Sequence, residues 1–166
     1  MDNWVKGKTA IIIGERDGVQ GPAIAACLEA AGANVVFKVT ECFVWTAAGT
    51  MDPENQGQVK TIAERAQKDM IPKNDILVVL GASDLDGVMI TAETVTTGDP
   101  TFAGPLAGVS LGLPVYHILE PEVRAMIPED VYDENVGIWT MAVEEEKLDK
   151  IGQELKMLRE QNKANV

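Results

Sequence analysis

Short apolar runs alternate with alanine-rich or amphipathic stretches along the chain. Four of these runs are rich in Val, Ile and Leu and are bounded by glycine, proline or polar residues, which is the pattern of buried strands. They cover residues 9–13, 34–39, 75–80 and 114–119. We therefore predict four strands that are separated by helical segments.

The segments between the predicted strands carry the start and stop signals of helices. Pro22 lies near the start of an alanine-rich stretch that ends before Gly32. Asp52-Pro53-Glu54 supplies an N-cap acid, a proline and a second acid, and predicts a helix that runs to about Lys68. Further helices are predicted at residues 84–94, 106–112, 121–127, 128–136 and 143–161, followed by a frayed polar tail at 162–166.

The alternation of continuous apolar strands with helices predicts an α/β fold, in which helices cover both faces of a parallel sheet. We expect one doubly wound domain over residues 1–166, similar to flavodoxin and Rossmann domains, with the strand order 2-1-3-4. In that order the Gly14–Gly21 loop and the loop that contains Cys42 lie side by side at the carboxyl edge of the sheet. Ligands and partners usually approach such a domain at this edge.

A stripe of leucine and isoleucine at helical spacing runs along the last predicted helix, at Leu148, Ile151, Leu155 and Leu158. Its simplest interpretation is the face that seals the sheet. A docking face for a partner helix is the alternative.

The charge of the chain argues against one class of function, nucleic-acid binding. The 166 residues include 26 acidic and 14 basic ones, for a formal net charge of −12. This balance argues against nucleic-acid binding, which needs clustered Lys and Arg. The amino terminus lacks the apolar run of a secretory signal, and no stretch approaches the roughly 20 apolar residues of a membrane helix. We therefore expect a cytoplasmic protein that has free thiols and no membrane partner.

The most informative stretch is Thr40–Gly49, in which Cys42 follows the second predicted strand and Trp45 lies three residues further on. A thiol at the carboxyl end of a strand suits nucleophilic or redox chemistry. Cys27 is its only possible protein partner for a disulfide. An isolated cysteine is also often a small buried apolar residue, and Trp45 on its own would be an ordinary half-buried aromatic.

Two loops are further candidates for the functional site. The Gly14–Pro22 segment joins a strand to a helix, but its acids and its glycine spacing do not fit a nucleotide site. Arg16 in this loop would hold an anion or pair with a neighbouring acid. The loop at residues 96–105 contains Asp99 and Thr101, and we expect it to pack beside Cys42 and to shape the site; a turn that serves only folding is the alternative.

His117 is the only histidine and lies inside the fourth predicted strand. A lone histidine in such a strand is more often a satisfied core residue than a base or a ligand. Neither it nor the two separated cysteines forms the pattern of a metal site.

The segment around Cys42 resembles the active-site loop of selenoprotein A, which is component A of the clostridial glycine/sarcosine/betaine reductase complex. That family carries a cysteine, two apolar residues, a selenocysteine and then Thr-Ala-Ala-Gly. Trp45 stands here at the selenocysteine position, and the residues that fit are Cys42, Phe43, Val44, Thr46, Ala47, Ala48 and Gly49. The resemblance extends to residues 11–18, 21–25, 92–95, 98–109 and 131–134. Because UGA encodes selenocysteine and some genetic codes read it as tryptophan, a recoding, a mis-decoded gene or a deliberate substitution would each give this sequence.

The resemblance implies a carrier function in amino-acid fermentation. In the family, selenocysteine takes a carboxymethyl group from a glycine-derived imine that is held on the pyruvoyl group of component B. Component C then takes the two-carbon unit as an acetyl group and releases acetyl phosphate. The selenium ends bonded to the cysteine sulfur, which corresponds to Cys42, and thioredoxin reduces that bond. No cofactor is expected apart from the selenium of selenocysteine.

The site residues that follow from the resemblance are Cys42 and position 45, and candidates for binding or for shaping the loops are Arg16, Thr46, Asp99 and Thr101. An indole at position 45 has neither the nucleophilicity nor the redox couple for this chemistry. We therefore expect the Trp45 form to fold but to be inactive. The alternative is a non-catalytic docking or scaffold module of the same complex, in which Trp45 is genuine. The choice among glycine, sarcosine and betaine lies with component B in this family.

Overall fold

Four parallel strands form one sheet in a computed structural model, which describes residues 2–42 and 50–164. The strands are β1 (Thr9–Glu15), β2 (Asn34–Glu41), β3 (Ile76–Leu80) and β4 (Val115–His117). Their order in the sheet is β2-β1-β3-β4, and each neighbouring pair is parallel. The predicted α/β doubly wound fold and the predicted strand order are thus confirmed.

Helices pack on both faces of this sheet. They are α1 (Gly21–Ala30), α2 (Pro53–Lys68), α3 (Leu85–Thr96), α4 (Pro121–Arg124), α5 (Glu129–Asn135), α6 (Gly137–Ala142) and α7 (Glu145–Ala164). Side chains of β1 and β3 alternate between the two faces, so Ile11 and Val78 join one core with α2, α3 and α7. Ile12 and Val79 join the other core with α1 and α5. This alternation explains why both central strands are apolar throughout.

The stripe on the last helix seals the sheet as predicted, because Ile151, Leu155 and Leu158 are all buried in the first of these cores. Leu148 packs against the second core. Helix α7 runs to Ala164 and thus includes the start of the predicted polar tail. Residues 165–166 lie outside the described residues. None of the helices in the described ranges has the length and apolar character needed to cross a membrane.

The prediction of a helix at residues 106–112 is wrong. The chain there forms a turn followed by a segment without regular secondary structure, and Gly108 and Gly112 have φ values of 71° and 64°. This left-handed backbone is available to glycine and interrupts a right-handed helix. Helix α6, in contrast, was not predicted. It has no side-chain cap and leaves Ile138 and Met141 exposed, so it lacks the usual helical signals.

Candidate functional site

The end of β2 and the loop after β1 meet at the carboxyl edge of the sheet, as predicted. The backbone N–H of Arg16 donates to the carbonyl oxygen of Glu41 at 2.9 Å. The backbone N–H of Gly21, at the start of α1, donates to the Thr40 hydroxyl at 2.9 Å. A Cβ atom at Gly21 would lie 2.7 Å from the Val39 carbonyl oxygen, so only glycine allows this approach. The contact fixes the end of β2 against α1, one residue before the site begins.

Cys42 follows β2 directly, and its thiol is free and partly buried. The next described residue is Thr50, so Trp45 and Thr46 lie outside the described residues. Their roles, and that of Cys42, stay predictions.

Cys27 has the opposite environment. It lies on α1 with no exposed surface and is also a free thiol. Burial raises the pKa of Cys27 to about 11. A thiol with so high a pKa holds almost no thiolate at neutral pH, which makes it unreactive.

Glu41, the residue before Cys42, anchors the end of β2 to the start of α2. The Asn55 side-chain amide donates to its carboxylate at 2.8 Å, and the backbone N–H of Asp52 donates at 3.3 Å. Glu15 lies opposite Glu41 in the register of β1 and β2, and both side chains are buried. Burial raises the pKa of Glu41, although the hydrogen bonds from Asn55 and Asp52 oppose this shift. Two buried carboxyl residues therefore lie at the carboxyl ends of β1 and β2, and one of them, Glu41, directly precedes Cys42 in the chain.

The Asp99 carboxylate accepts several of the hydrogen bonds that order the loop between α3 and β4. Its carboxylate accepts hydrogen bonds from the backbone N–H and the hydroxyl of Thr101, both at 2.8 Å. It also accepts from the backbone N–H groups of Ala103 at 2.9 Å and Gly104 at 3.0 Å. Burial alone would raise the pKa of Asp99, but these bonds and one from Gln56 outweigh it and lower the pKa to about 2.

The same carboxylate reaches the carboxyl edge of the sheet. The Thr50 hydroxyl donates to Asp99 Oδ1 at 3.2 Å, and the Gln56 amide donates to Asp99 Oδ2 at 3.1 Å and to the Met51 carbonyl at 2.8 Å. Hydrogen bonds to Glu41 therefore anchor the chain just before residues 43–49, and the hydrogen bond between Thr50 and Asp99 anchors it just after them. The loop at residues 96–105 thus contacts the chain at Thr50, and Asp99 and Thr101 are hydrogen-bonded to each other within it. The expected packing of this loop beside Cys42, and a role of Asp99 and Thr101 in the site, stay predictions.

Sequence reasoning missed four residues of these networks, which are the buried Glu41, Thr50 and Gln56 and the partly buried Asn55. Only their positions in the sequence could have indicated them. Glu41 directly precedes Cys42, Thr50 lies just before α2, and Asn55 and Gln56 lie in the first turn of α2.

Arg16 and Phe102 are two exposed residues in the loops that contact the end of β2 and the start of α2. Arg16 is exposed in the loop after β1. Phe102 is 75% exposed and has a φ of 55°, an unfavourable value for an aromatic residue. Its loop contacts Thr50 through Asp99, so Phe102 is an exposed residue of the loop that meets the chain at Thr50.

His117 is a core residue, as predicted. One ring nitrogen, Nε2, donates to the Ala82 carbonyl at 2.7 Å, and Nδ1 accepts from the backbone N–H of Leu119 at 3.1 Å. Burial lowers the pKa of His117 to about 4, despite the hydrogen bond to Ala82. The ring is therefore neutral at pH 7. Across residues 2–42 and 50–164, no cluster of His, Cys, Asp or Glu could hold a metal ion.

The fold and the site define a doubly wound α/β protein that presents a free thiol at the carboxyl edge of its sheet. Residues 5–159 match the model of the family described as glycine reductase complex selenoprotein A. The chain therefore belongs to this family.

Proteins similar to this chain carry the name of the same component. Component A of the glycine/sarcosine/betaine reductase complex from Symbiobacterium thermophilum is 50% identical over 160 residues, which are 96% of this chain and 98% of that protein. The component A of Carboxydothermus hydrogenoformans is 52% identical over 93% of this chain and 94% of its own length. Component A1 of Peptoclostridium acidaminophilum is 50% identical over 93% of both chains. No solved structure matches.

Proposed function

We propose that the parent form of this chain carries a two-carbon unit and two electrons between components B and C of the reductase complex, in the cytoplasm. Selenocysteine at position 45 would supply the nucleophile that takes the carboxymethyl group from component B. In that transfer a selenium–carbon bond forms and the carbon–nitrogen bond breaks, with its electron pair left on nitrogen.

Cys42 completes the cycle in this proposal. Its thiolate bonds to selenium while the selenium–carbon bond breaks, and the electron pair stays on carbon, which takes up a proton. The two-carbon unit passes to component C as an acetyl group, and its carboxyl group loses one oxygen as water. The electrons come from the selenium and the sulfur, which end joined to each other. Thioredoxin then supplies two electrons and two protons to restore both groups.

The observation that carries this proposal is the position of Cys42. Its thiol is free, lies directly after β2 and is flanked by anchors at Glu41 and Thr50. Such anchoring fits a short loop that must present two reacting groups to larger partners. Cys27 is buried and has a raised pKa, so it is not a substitute for Cys42.

The test is reconstitution of acetyl phosphate formation with components B and C, thioredoxin and glycine. We expect no turnover with the Trp45 chain, and turnover with the Trp45→selenocysteine variant. The Cys42→Ser change in that variant should allow one transfer from component B but no regeneration by thioredoxin. Cys27→Ser is the matched control and should leave turnover unchanged. Turnover by the Trp45 chain, or multiple turnovers without Cys42, would contradict the proposal.

A second candidate function is a non-catalytic docking module of the same complex. The observation in its favour is Trp45 itself, because an indole cannot perform the transfer. A mass spectrum of residues 41–50 in protein from the source cells separates the two. A selenium isotope pattern at position 45 supports the carrier, and an indole mass supports the docking module.

A further inference from the structure

A basic pocket lies at the amino edge of the sheet, on the side away from Cys42. Lys8 precedes β1, Ile76 begins β3 and Pro114 precedes β4, and all three line the pocket. Its volume is about 540 Å³, which is within the range of small-molecule sites.

The charge in this pocket contrasts with that of the whole protein. Four of the 14 basic residues line it, namely Lys8, Lys73, Arg159 and Lys163, whereas no acidic residue of the described chain does. The formal net charge of the chain is −12. Acids next to the pocket offset two of these cations, because Asp75 pairs with Lys8 and Glu120 pairs with Arg159. The excess of positive charge in the pocket therefore comes from Lys73 and Lys163.

Two of the four cations are already paired, and two are available. Arg159 binds both carboxylate oxygens of Glu120 at 3.0 Å. The Lys8 ammonium donates to the Asn74 carbonyl at 2.6 Å and lies 3.6 Å from the Asp75 carboxylate. Lys73 and Lys163 are exposed and form no ion pair with any residue in the described ranges.

A buried amide adds a donor. Asn162 lines the pocket, and its Nδ2 atom is buried without a hydrogen-bond partner among the described residues. An unpaired buried donor is costly, and an acceptor on a ligand would satisfy it. Asn162 and the two available lysines are all donors, which selects an acceptor-rich ligand.

Two aromatic residues, Trp4 and Tyr116, also line the pocket. The rings of Trp4 and Tyr116 lie 4.8 Å apart between centroids. The Arg159 guanidinium lies 3.9 Å above the Tyr116 ring, and the Trp4 indole N–H donates to the Glu122 carbonyl at 3.3 Å. Both rings are held in place before a ligand arrives, which reduces the entropic cost of binding a flat group.

We infer that this pocket is a second ligand site, which binds a small anion with a phosphate or carboxylate head and a flat apolar body. Lys73, Lys163 and Asn162 bind the head, and the body packs against Trp4 and Tyr116. The site lies at the opposite edge of the sheet from Cys42 and does not depend on the residue at position 45.

A suitable probe is 1-naphthyl phosphate, with 1-naphthol and inorganic phosphate as its two halves. We expect calorimetry to detect binding of the intact probe, and binding at least tenfold weaker for each half. The indole N–H signal of Trp4, assigned in a nitrogen-15 spectrum by Trp4→Phe, should shift on titration. Comparable affinity for 1-naphthol, or an unshifted Trp4 signal, would overturn the inference.

The lysines provide the matched variants, because their exposed side chains can be replaced without unfolding the protein. Lys73→Ala with Lys163→Ala should weaken binding of the probe by roughly tenfold or more, since each lysine contributes a charge-assisted contact. Lys150→Ala with Lys156→Ala makes the same change in net charge on exposed residues that do not line the pocket. If both double variants lost the same affinity for the probe, only the net charge of the protein would act on the ligand, and the inference would fail.

Discussion

Asp99 shows how a single side chain can organise a loop. Its buried carboxylate accepts from Thr101, Ala103 and Gly104 on its own loop, and from Thr50 and Gln56 at the site. The donors surround both oxygens, so the carboxylate is satisfied only when it is ionised. The lowered pKa of about 2 has this cause.

We predict that Asp99→Asn lowers the free energy of unfolding at pH 7 by about 3 kcal/mol, because its amide would face N–H donors. The depressed pKa also has a consequence for pH. The stabilisation by Asp99 is fully present above the unfolded-state pKa near 3.8 and is lost as the pH falls towards 2. Urea unfolding of the wild type and the variant between pH 2 and 7 should show the difference shrinking by about 2 kcal/mol at low pH.

Asp149→Asn is the matched control for this experiment, since Asp149 is exposed on α7. It should change the free energy of unfolding by less than about 0.5 kcal/mol at any pH. A difference between wild type and Asp99→Asn that does not depend on pH would show that the carboxylate is not stabilised by its donors.

At the scale of the elements, the close contact between α1 and β2 fixes the end of β2 at Val39 and Thr40, two residues before Cys42. We predict that Gly21→Ala lowers the free energy of unfolding by about 1–3 kcal/mol, because the new methyl group would overlap the Val39 carbonyl. It should also change the reaction rate of Cys42 with a thiol reagent, since the end of β2 must shift. Gly152→Ala is the control; no atom lies within 4 Å of its new Cβ, and it should stabilise α7 by about 1 kcal/mol. If Gly21→Ala and Gly152→Ala changed the free energy of unfolding equally, the close contact between Gly21 and the Val39 carbonyl would be contradicted.

The elements could be predicted well where local sequence determines them. The cap and proline of α2 fix its start at Pro53, and Asp52 accepts from the backbone N–H of Glu54 as its sequence indicates. The glycine conformations at residues 108 and 112 have no local signature, so the helix predicted there was wrong. Strand β2 is an edge strand whose side chains alternate between exposed and half-buried, which its sequence does not reveal.

At the scale of the whole molecule, the strand order places Cys42 next to the loop after β1, and that neighbourhood was predictable. The anchors around it were not, because they join residues that are far apart in sequence. Thr50 and Asp99 are separated by 49 positions, and Gln56 and Asp99 by 43. Only the fold brings these groups together, and Gln56 had no pattern that distinguished it from other polar residues in a helix.

Two exposed residues with left-handed backbone lie in loops near opposite ends of α2 and allow a final prediction. Phe102 has a φ of 55° in the loop that meets the chain at Thr50, and Met70 has a φ of 60° after the end of α2. Replacing either by glycine relieves backbone strain, so Phe102→Gly and Met70→Gly should each raise the free energy of unfolding by about 1 kcal/mol. Backbone strain in proteins clusters at functional sites, so the unfavourable conformation of the exposed Phe102 favours a contact with a partner.

Under the proposed function, in which components B and C are the partners, we therefore expect the two variants to differ in binding to them. Phe102→Gly should weaken the binding of at least one component by roughly tenfold, as loss of an aromatic anchor does. Met70→Gly should leave both affinities unchanged, because Met70 lies at the other end of α2. Surface plasmon resonance with immobilised component B or C measures this directly. If Phe102→Gly is more stable and binds both components as well as the wild type, the strained ring serves no partner contact, and the interface must lie elsewhere on the carboxyl edge.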